Sequence, residues 1–226
     1  EKKDSKKIIS INGQKELTSN NIDVPSDLSS SAFFIVAALI NKGSKISMQN
    51  ININPTRDGI IIALKKMGAK INLKNKRFLS GEIVADIDVE SSNLVGCELD
   101  PEMAKLMIDE YPILSIAAAF AEGPSLFKGL AELKVKESDR LELTRLNLTK
   151  CGCECEVINN DLLIKPSKNY LPIDNKIRTD FDHRIAMSFV IMGSKVGNLL
   201  IEDIESINTS FPNFIEIYNN SGGSFL

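Results

Sequence analysis

The sequence predicts one α/β domain built from three similar units that are arranged with pseudo-threefold symmetry. Two observations support this class. Apolar, helix-length segments recur three times, and each is followed by a glycine and then by a strand-like segment. The 226 residues, 43% of them hydrophobic, are enough to bury a substantial core. We therefore expect three buried helices, three surface helices and sheets between them.

The three buried helices are predicted by segments that are apolar nearly all round. The segments are SSSAFFIVAALI (29–40), DEYPILSIAAAF (109–120) and HRIAMSFVIMG (183–193). Gly43, Gly123 and Gly197 follow them, as expected where a helix stops and the chain turns into a strand.

The three surface helices are predicted by amphipathic segments that precede a second set of glycines, Gly68, Gly152 and Gly222. Their apolar residues recur at helical spacing, with polar residues between them. The apolar sets are Ile60, Leu64 and Met67; Leu141 and Leu148; and Phe211, Phe214, Ile215 and Tyr218. The segments EIVADIDV and LLIKP alternate as strands do.

Composition and charge exclude several classes of partner. The net charge of −3 gives no reason to expect nucleic acid. No apolar run approaches the ~18 residues of a membrane span, and the first ten residues lack the apolar core of a secretory signal. We expect neither nucleic acid nor membrane as a partner.

Three of the four cysteines lie in the run CGCEC, at Cys151, Cys153 and Cys155; the fourth is Cys97. Their alternate spacing predicts one face of a strand, too crowded for disulfides among themselves. The spacing is not that of a zinc site and no histidine is near, so we expect free thiols, although a metal or redox role stays open. Free thiols favour a reducing compartment, the cytoplasm.

Arginines stand beside acids at three predicted helix starts: Arg57, Arg140 and Arg184, with Lys136 close to the second. A helix start carries partial positive charge, so a cation there costs a few tenths of a kcal/mol unless an anion is present. The pattern therefore predicts a site for phosphate or carboxylate groups. Alternatively, each arginine pairs with its neighbouring acid on a solvated face.

Two carboxylates are candidates for acid–base chemistry. Asp109 opens a buried helix that carries Pro112 in its first turn, so it is either an ordinary first-turn acid or a group at the mouth of a cleft. Glu137 lies between Lys136 and Ser138, the expected N-cap.

His183, the only histidine, lies between Asp182 and Arg184, and a structural or a functional role is equally open. The sequence contains no P-loop, GxGxxG, HExxH or GxSxG motif. The residues alone indicate a polyanion site made from helix starts, with two candidate carboxylates.

Five motifs, in their order and spacing, resemble the 5-enolpyruvylshikimate-3-phosphate (EPSP) synthase family over nearly the whole chain. They are VPSDLSSSAFF (24–34), NPTRDG (54–59), IDEYPILSIAAAFAEG (108–123), KESDR (136–140) and DHRIAM (182–187). The IDEYP and TSFP variants resemble the branch that includes glyphosate-tolerant bacterial enzymes.

The resemblance implies more chain than is present here. Family members have two domains, each of three βαβαββ units, with the active site between them. This chain looks like the C-terminal domain, residues 24–226, preceded by a crossover segment and strand of the missing N-terminal half, residues 1–23. The implied partner is that N-terminal domain, and we expect the full-length protein to be a monomer.

The resemblance also implies a reaction: the enolpyruvyl group of phosphoenolpyruvate is transferred to the 5-hydroxyl of shikimate 3-phosphate, and phosphate is released. Carried over by position, Asp109 looks like the proton acceptor near the 5-hydroxyl. Glu137 looks like the acid that protonates the methylene carbon of phosphoenolpyruvate. No cofactor and no metal is expected.

The binding residues are implied in the same way. Lys136 resembles a contact to the shikimate phosphate, Arg140 and Arg184 resemble the clamp on phosphoenolpyruvate, and His183 is expected to line the site. One position departs from many relatives, because Thr209 stands where they carry a lysine.

Two alternatives stay open. The chain could belong to an enolpyruvyl transferase of the same fold that acts on UDP-N-acetylglucosamine. It could also be a ligand-binding domain that is inactive alone, because a site between two domains is incomplete in one of them.

Overall fold

The computed structural model describes residues 10–167, 170 and 176–226, and its elements repeat in the predicted order. The α-helices are α1 (Leu28–Ile40), α2 (Gly59–Lys66), α3 (Ala104–Met107), α4 (Tyr111–Ala119), α5 (Arg140–Lys150), α6 (His183–Val196) and α7 (Phe214–Asn220). The strands are β1 (Lys45–Asn52), β2 (Lys70–Leu79), β3 (Glu82–Glu90), β4 (Glu98–Leu99), β5 (Ser125–Phe127), β6 (Glu154–Ile158), β7 (Asp161–Lys165), β8 (Lys176–Ile177) and β9 (Leu200–Ile201). Short 3₁₀ turns occupy Pro101–Met103, Ile108–Glu110, Ala131–Val135 and Ile204–Thr209.

The three helices predicted to be buried are α1, α4 and α6, and each packs against the other two. Most of their side chains are shielded from solvent, including Ile35, Leu114 and Phe189. Asp27 caps the start of α1 through its carboxylate, and Pro112 lies in the first turn of α4, where its missing N–H costs little. The three-helix centre of the domain is therefore confirmed.

The surface helices α2, α5 and α7 each bury one face, as predicted. In α2, Ile60 and Leu64 are buried together with Met67 just beyond the helix end, while Lys65 and Lys66 remain exposed. In α5 the buried face includes Leu141 and Leu148, and in α7 it includes Phe214 and Tyr218. The glycines that follow the six helices all have φ between 76° and 96°, the region that favours glycine: Gly43, Gly68, Gly123, Gly152, Gly197 and Gly222.

The sheets show the same threefold repetition. In each unit the segment before the buried helix pairs in parallel with the strand after it: Ser26 with Ile51 of β1, β4 with β5, and β8 with β9. In the first two units an antiparallel hairpin follows, giving the orders β1-β3-β2 and β4-β5-β7-β6. The predicted α/β class with pseudo-threefold character is confirmed.

The prediction for the cysteine run is wrong in part. Only Cys155 lies in a strand, because Cys151 is the C-cap of α5 and Gly152, at φ 93°, turns the chain before β6 begins. All four cysteines are free, and burial raises the pKa of Cys151 and Cys155 to about 12. These thiols are protonated at neutral pH, which makes them poor nucleophiles and poor metal ligands.

The expected N-cap of α5 is also wrong by one residue. Asp139 occupies that position, and its carboxylate accepts the Glu142 N–H at 2.9 Å. Ser138 turns away and donates its hydroxyl to Asp182 at 2.9 Å instead. A carboxylate at this position also complements the partial positive charge of the helix start better than a hydroxyl does.

The segment before α1 carries little regular structure. Residues 10–22 are exposed and contain no helix or strand, while residues 1–9 lie outside the described part of the chain. The crossover role of residues 1–23 therefore stays a prediction. Within the described ranges, no helix has the length and apolar character that crossing a bilayer requires.

Candidate active site

The predicted site residues come together where α1, α5, α6 and the 3₁₀ turn before α4 begin. Asp109 lies on that turn, Arg140 opens α5, and His183 and Arg184 open α6. Glu137 belongs to the loop that enters α5. Contacts join the starts of α1, α4 and α6, so the positive ends of these helices face the same region.

Arg140 is the centre of this cluster. Its side chain is only 1% exposed, and its guanidinium contacts three carboxylates. Nε donates to Asp182 at 2.8 Å, Nη1 to Asp109 at 3.0 Å, and Nη2 to Glu137 at 2.5 Å. The two candidate acid–base residues are thus bonded to the two terminal nitrogens of one planar group, which fixes their relative positions.

Asp182 is a site residue that sequence reasoning treated only as a neighbour of Arg184. It is fully buried, and each carboxylate oxygen has its own task. Oδ1 caps α6 by accepting the N–H groups of Arg184 and Ile185, and Oδ2 accepts from Arg140 and Ser138. Its position just before an apolar helix predicts the cap, but the contact with Arg140 spans 42 residues and has no local signal.

Asp109 receives two cations on the same oxygen, Arg140 at 3.0 Å and Lys136 at 3.4 Å. Burial on its own raises the pKa of Asp109, but Arg184, Lys136 and Arg140 outweigh that effect and hold the pKa below its ordinary 3.8. Asp109 is therefore a carboxylate at neutral pH and can accept a proton.

Lys136 bridges Asp109 and Glu132, whose carboxylate lies 2.8 Å from its Nζ. The hydrogen bond that Lys136 donates to Glu132 is the main cause of its raised pKa, so this side chain remains a cation. Glu132 was not predicted to belong to the site, although its spacing of four residues from Lys136 is typical of an ion pair.

Arg184 has a different environment from Arg140. Its Nη1 donates to the backbone carbonyl of Asp109 at 3.2 Å and lies 3.5 Å from Oε1 of Glu110. The side chain is 16% exposed, and its other side-chain donors make no hydrogen bond to any described residue. These donors are available to an anion.

A second set of contacts joins the three units behind Arg184. Ser29 of the first unit donates to Oε1 of Glu110, in the second unit, at 2.5 Å, and Arg57 donates to the Ser29 hydroxyl at 3.3 Å. Arg184 belongs to the third unit. All three arginines predicted at helix starts therefore lie in one connected group, although Ser29 and Glu110 are 81 residues apart and no sequence signal pairs them.

His183 lies half-buried at the first position of α6. Burial is the main cause of its lowered pKa, Arg184 and Arg140 lower it further, and Asp182 opposes them. The imidazole is therefore neutral at pH 7, and among the described residues it makes no hydrogen bond. Thr209, exposed and bonded to the Ser206 carbonyl, brings no cation to the site.

The comparisons with known proteins agree on one family. The EPSP synthase (3-phosphoshikimate 1-carboxyvinyltransferase) family model matches residues 1–218. The 3-phosphoshikimate 1-carboxyvinyltransferase of Paramagnetospirillum magneticum is 45% identical over 95% of this chain, and that of Gluconobacter oxydans is 43% identical over 95%. An EPSP synthase structure from Acinetobacter baumannii superposes with a TM-score of 0.87 at 40% identity, covering 93% of this chain.

The chain spans about half the length of these relatives, 48% of both curated proteins and 49% of the solved chain. A more distant structure, the enolpyruvyl transferase NikO from Streptomyces tendae, superposes with a TM-score of 0.63 at 16% identity over 89% of this chain and 44% of its own. That likeness concerns the fold alone.

Proposed function

This chain belongs to the EPSP synthase family, and on that premise we propose that it supplies the C-terminal half of an enolpyruvyl transferase. The proposed reaction transfers the enolpyruvyl group of phosphoenolpyruvate to the 5-hydroxyl of shikimate 3-phosphate and releases phosphate. Residues 24–226 form the catalytic half-domain, and residues 1–23 lead to it from an N-terminal half of similar size. The proposed location is the cytoplasm, which suits four free thiols.

One observation carries the proposal: Asp109 and Glu137 are held by the same guanidinium, with Lys136 and Arg184 beside them. Two carboxylates in fixed relation supply the acid and the base that addition to an enol phosphate requires. Cations and helix starts supply the field that holds two phosphorylated substrates.

The proposed chemistry gives each of the two carboxylates one proton transfer. Asp109 accepts the proton of the 5-hydroxyl as that oxygen bonds to the central carbon of phosphoenolpyruvate, and Glu137 delivers a proton to the methylene carbon. The resulting tetrahedral intermediate then loses phosphate from the central carbon and a proton from the new methyl group. The lowered pKa of Asp109 keeps the group ionised when the substrate arrives, but it also makes the carboxylate a weaker base than one of ordinary pKa.

The cations divide into two kinds. Arg184 and Lys136 have partly exposed side chains and meet the substrate anions first. Arg140 is covered and already bonded to three carboxylates, so it reaches phosphoenolpyruvate only when Glu137 leaves its Nη2. Since Thr209 replaces the lysine of many relatives, the clamp here depends on arginines.

The test compares acceptors in the full-length gene product. We expect phosphate release from phosphoenolpyruvate with shikimate 3-phosphate, and none with UDP-N-acetylglucosamine. Asp109→Asn should lower kcat by about 10² to 10⁴, the usual contribution of a general base. The matched control is Asp100→Asn, an exposed acid nearby, which should leave kcat unchanged. Turnover of the UDP-sugar alone, or an active Asp109→Asn variant, would contradict the proposal.

A second experiment tests whether this chain binds substrate without the rest of the protein. A half-site lacks the groups that a second domain brings, so we expect weak or undetectable binding of shikimate 3-phosphate to the 226-residue chain in isothermal titration. Tight binding would mean that this half recognises the substrate unaided.

A further inference from the structure

Glu110 is a carboxylate in the site for which the acid–base reaction has no use. It follows Asp109 directly on the 3₁₀ turn, yet it is only 3% exposed and faces a different arginine. We infer that Glu110 is a positioning residue, which holds the guanidinium of Arg184 in the orientation that binds the phosphoenolpyruvate anion. The inference rests on the proposed function and adds a residue to it.

The geometry of Glu110 assigns this task to one oxygen. Oε1 accepts the hydroxyl of Ser29 at 2.5 Å and lies 3.5 Å from Nη1 of Arg184. A buried carboxylate is costly unless it is hydrogen-bonded and paired with a cation. Ser29 and Arg184 provide the bond and the charge, so the carboxylate and the guanidinium depend on each other.

Arg184 has few other constraints on its position. Apart from Glu110, its side chain bonds only to the carbonyl of Asp109 among the described residues. Both contacts engage Nη1, so they fix one edge of the guanidinium and leave the remaining donors on the other edges. A group that binds an anion through a planar fork needs this kind of orientation from behind.

Arg57, the remaining arginine predicted at a helix start, belongs to the same set of contacts. Its Nη2 donates to the Ser29 hydroxyl, which in turn donates to Glu110. The serine proton is therefore directed at the carboxylate, because its oxygen is already occupied as an acceptor. Ser29, Glu110 and Arg184 come from three different units, so the orientation of Arg184 is set by contacts between units.

A kinetic double-mutant cycle in the full-length enzyme tests this role. Glu110→Ala should raise the KM for phosphoenolpyruvate about 10- to 100-fold, because the buried ion pair that orients Arg184 is lost, with kcat changed less than KM. Arg184→Ala should raise the same KM further. The Glu110→Ala/Arg184→Ala double variant should then equal Arg184→Ala, because the glutamate acts through the arginine.

Conservative variants guard against simple misfolding. Glu110→Gln keeps an acceptor for Ser29 and should raise KM less than Glu110→Ala, and Ser29→Ala should produce a smaller rise of the same kind. Thermal unfolding of each variant monitors the fold. Glu102→Gln, an exposed glutamate on the preceding turn, is the control and should behave as wild type.

The outcomes separate the two proposals. If the wild-type enzyme turns over shikimate 3-phosphate but the effects of Glu110→Ala and Arg184→Ala multiply, Glu110 is merely structural and the inference is overturned. The same follows if Glu110 variants lose stability while their KM stays unchanged. If the wild type shows no such turnover, the proposed function fails first and the inference fails with it.

Discussion

The two ends of the central helices differ in the charge of the side chains around them. At their starts, arginines, a lysine and carboxylates form a tightly bonded cluster around Arg140 and Arg184. At the other ends of α1 and α6, beside α7, lies a cavity of about 860 Å³. Its lining is mostly small and neutral, and Lys45, already paired with Glu90, is the one charged side chain among its described lining residues.

The difference sets cavity volume, which favours the neutral end, against charge, which favours the other. Helix starts offer free N–H groups and partial positive charge, whereas helix ends offer carbonyls and partial negative charge. An anionic substrate is attracted to the first and repelled by the second. The charged end is therefore the functional candidate, although much of its space is filled by side chains that contact one another.

The largest effect should come from removing the centre of the charged end. Arg140→Ala leaves Asp182 buried with no cation and frees Asp109 and Glu137. Breaking a buried ion pair on one side costs about 3–5 kcal/mol. We expect a loss of that size in the free energy of unfolding, measured by urea denaturation of the full-length protein.

The control for this variant lies on the same helix. Arg145 pairs with Glu142 on the surface of α5, so Arg145→Ala should cost about 0.2–1 kcal/mol. Equal losses from the two variants would remove the distinction between a buried centre and a solvated pair.

Lowering the pH should have a smaller effect on the free energy of unfolding. Burial lowers the pKa of His183 below its ordinary 6.5, so the unfolded chain takes up a proton before the folded protein does. Stability should therefore fall as the pH drops through that range, by at most about 1.4 kcal/mol per pH unit. Glu110 acts in the opposite direction at lower pH, because burial raises its pKa above 4.5 and the folded state binds the proton first.

Urea denaturation between pH 7.5 and 5.5, with His183→Asn as the matched variant, measures the effect of the histidine. Since His183 is the only histidine, the variant should show a flatter profile than wild type. Parallel profiles would mean that the imidazole is not desolvated at the start of α6.

The smallest effect should come from the neutral end. Asn41 follows α1 and donates to the Ser194 hydroxyl of α6 at 2.8 Å and to the Ala37 carbonyl of α1 at 2.9 Å. Asn41→Ala should cost about 1 kcal/mol of stability, the net value of such hydrogen bonds, and leave kcat and both KM values unchanged. A raised KM would show that the two ends of the helices are coupled.

Much of the fold could be predicted because its signals are local. The apolar segments, the amphipathic segments and the six glycines each depend on residues within one helix length. The start of α5 was misplaced by one residue because Ser138 and Asp139 are both good caps, and the contact that separates them, Ser138 with Asp182, spans 44 residues.

The sequence predicted which residues form the candidate site better than it predicted what each residue contacts. Asp109, Glu137, Arg140 and Arg184 were identified, and the structure brings them together. Burial could not be read from local patterns, so nothing predicted that Arg140 is covered by carboxylates while Arg184 keeps free donors. Glu110 directly follows Asp109 in the sequence, and only the structure shows that it is buried and bonded to Ser29.

The contacts among Ser29, Glu110 and Arg184 have a consequence for how this protein can change. No single repeat contains a working fragment of the site, so duplication or exchange of one repeat would transfer scaffold without recognition. A substitution at any of the three positions changes a contact with another repeat. The proposed anion site therefore depends on all three repeats together.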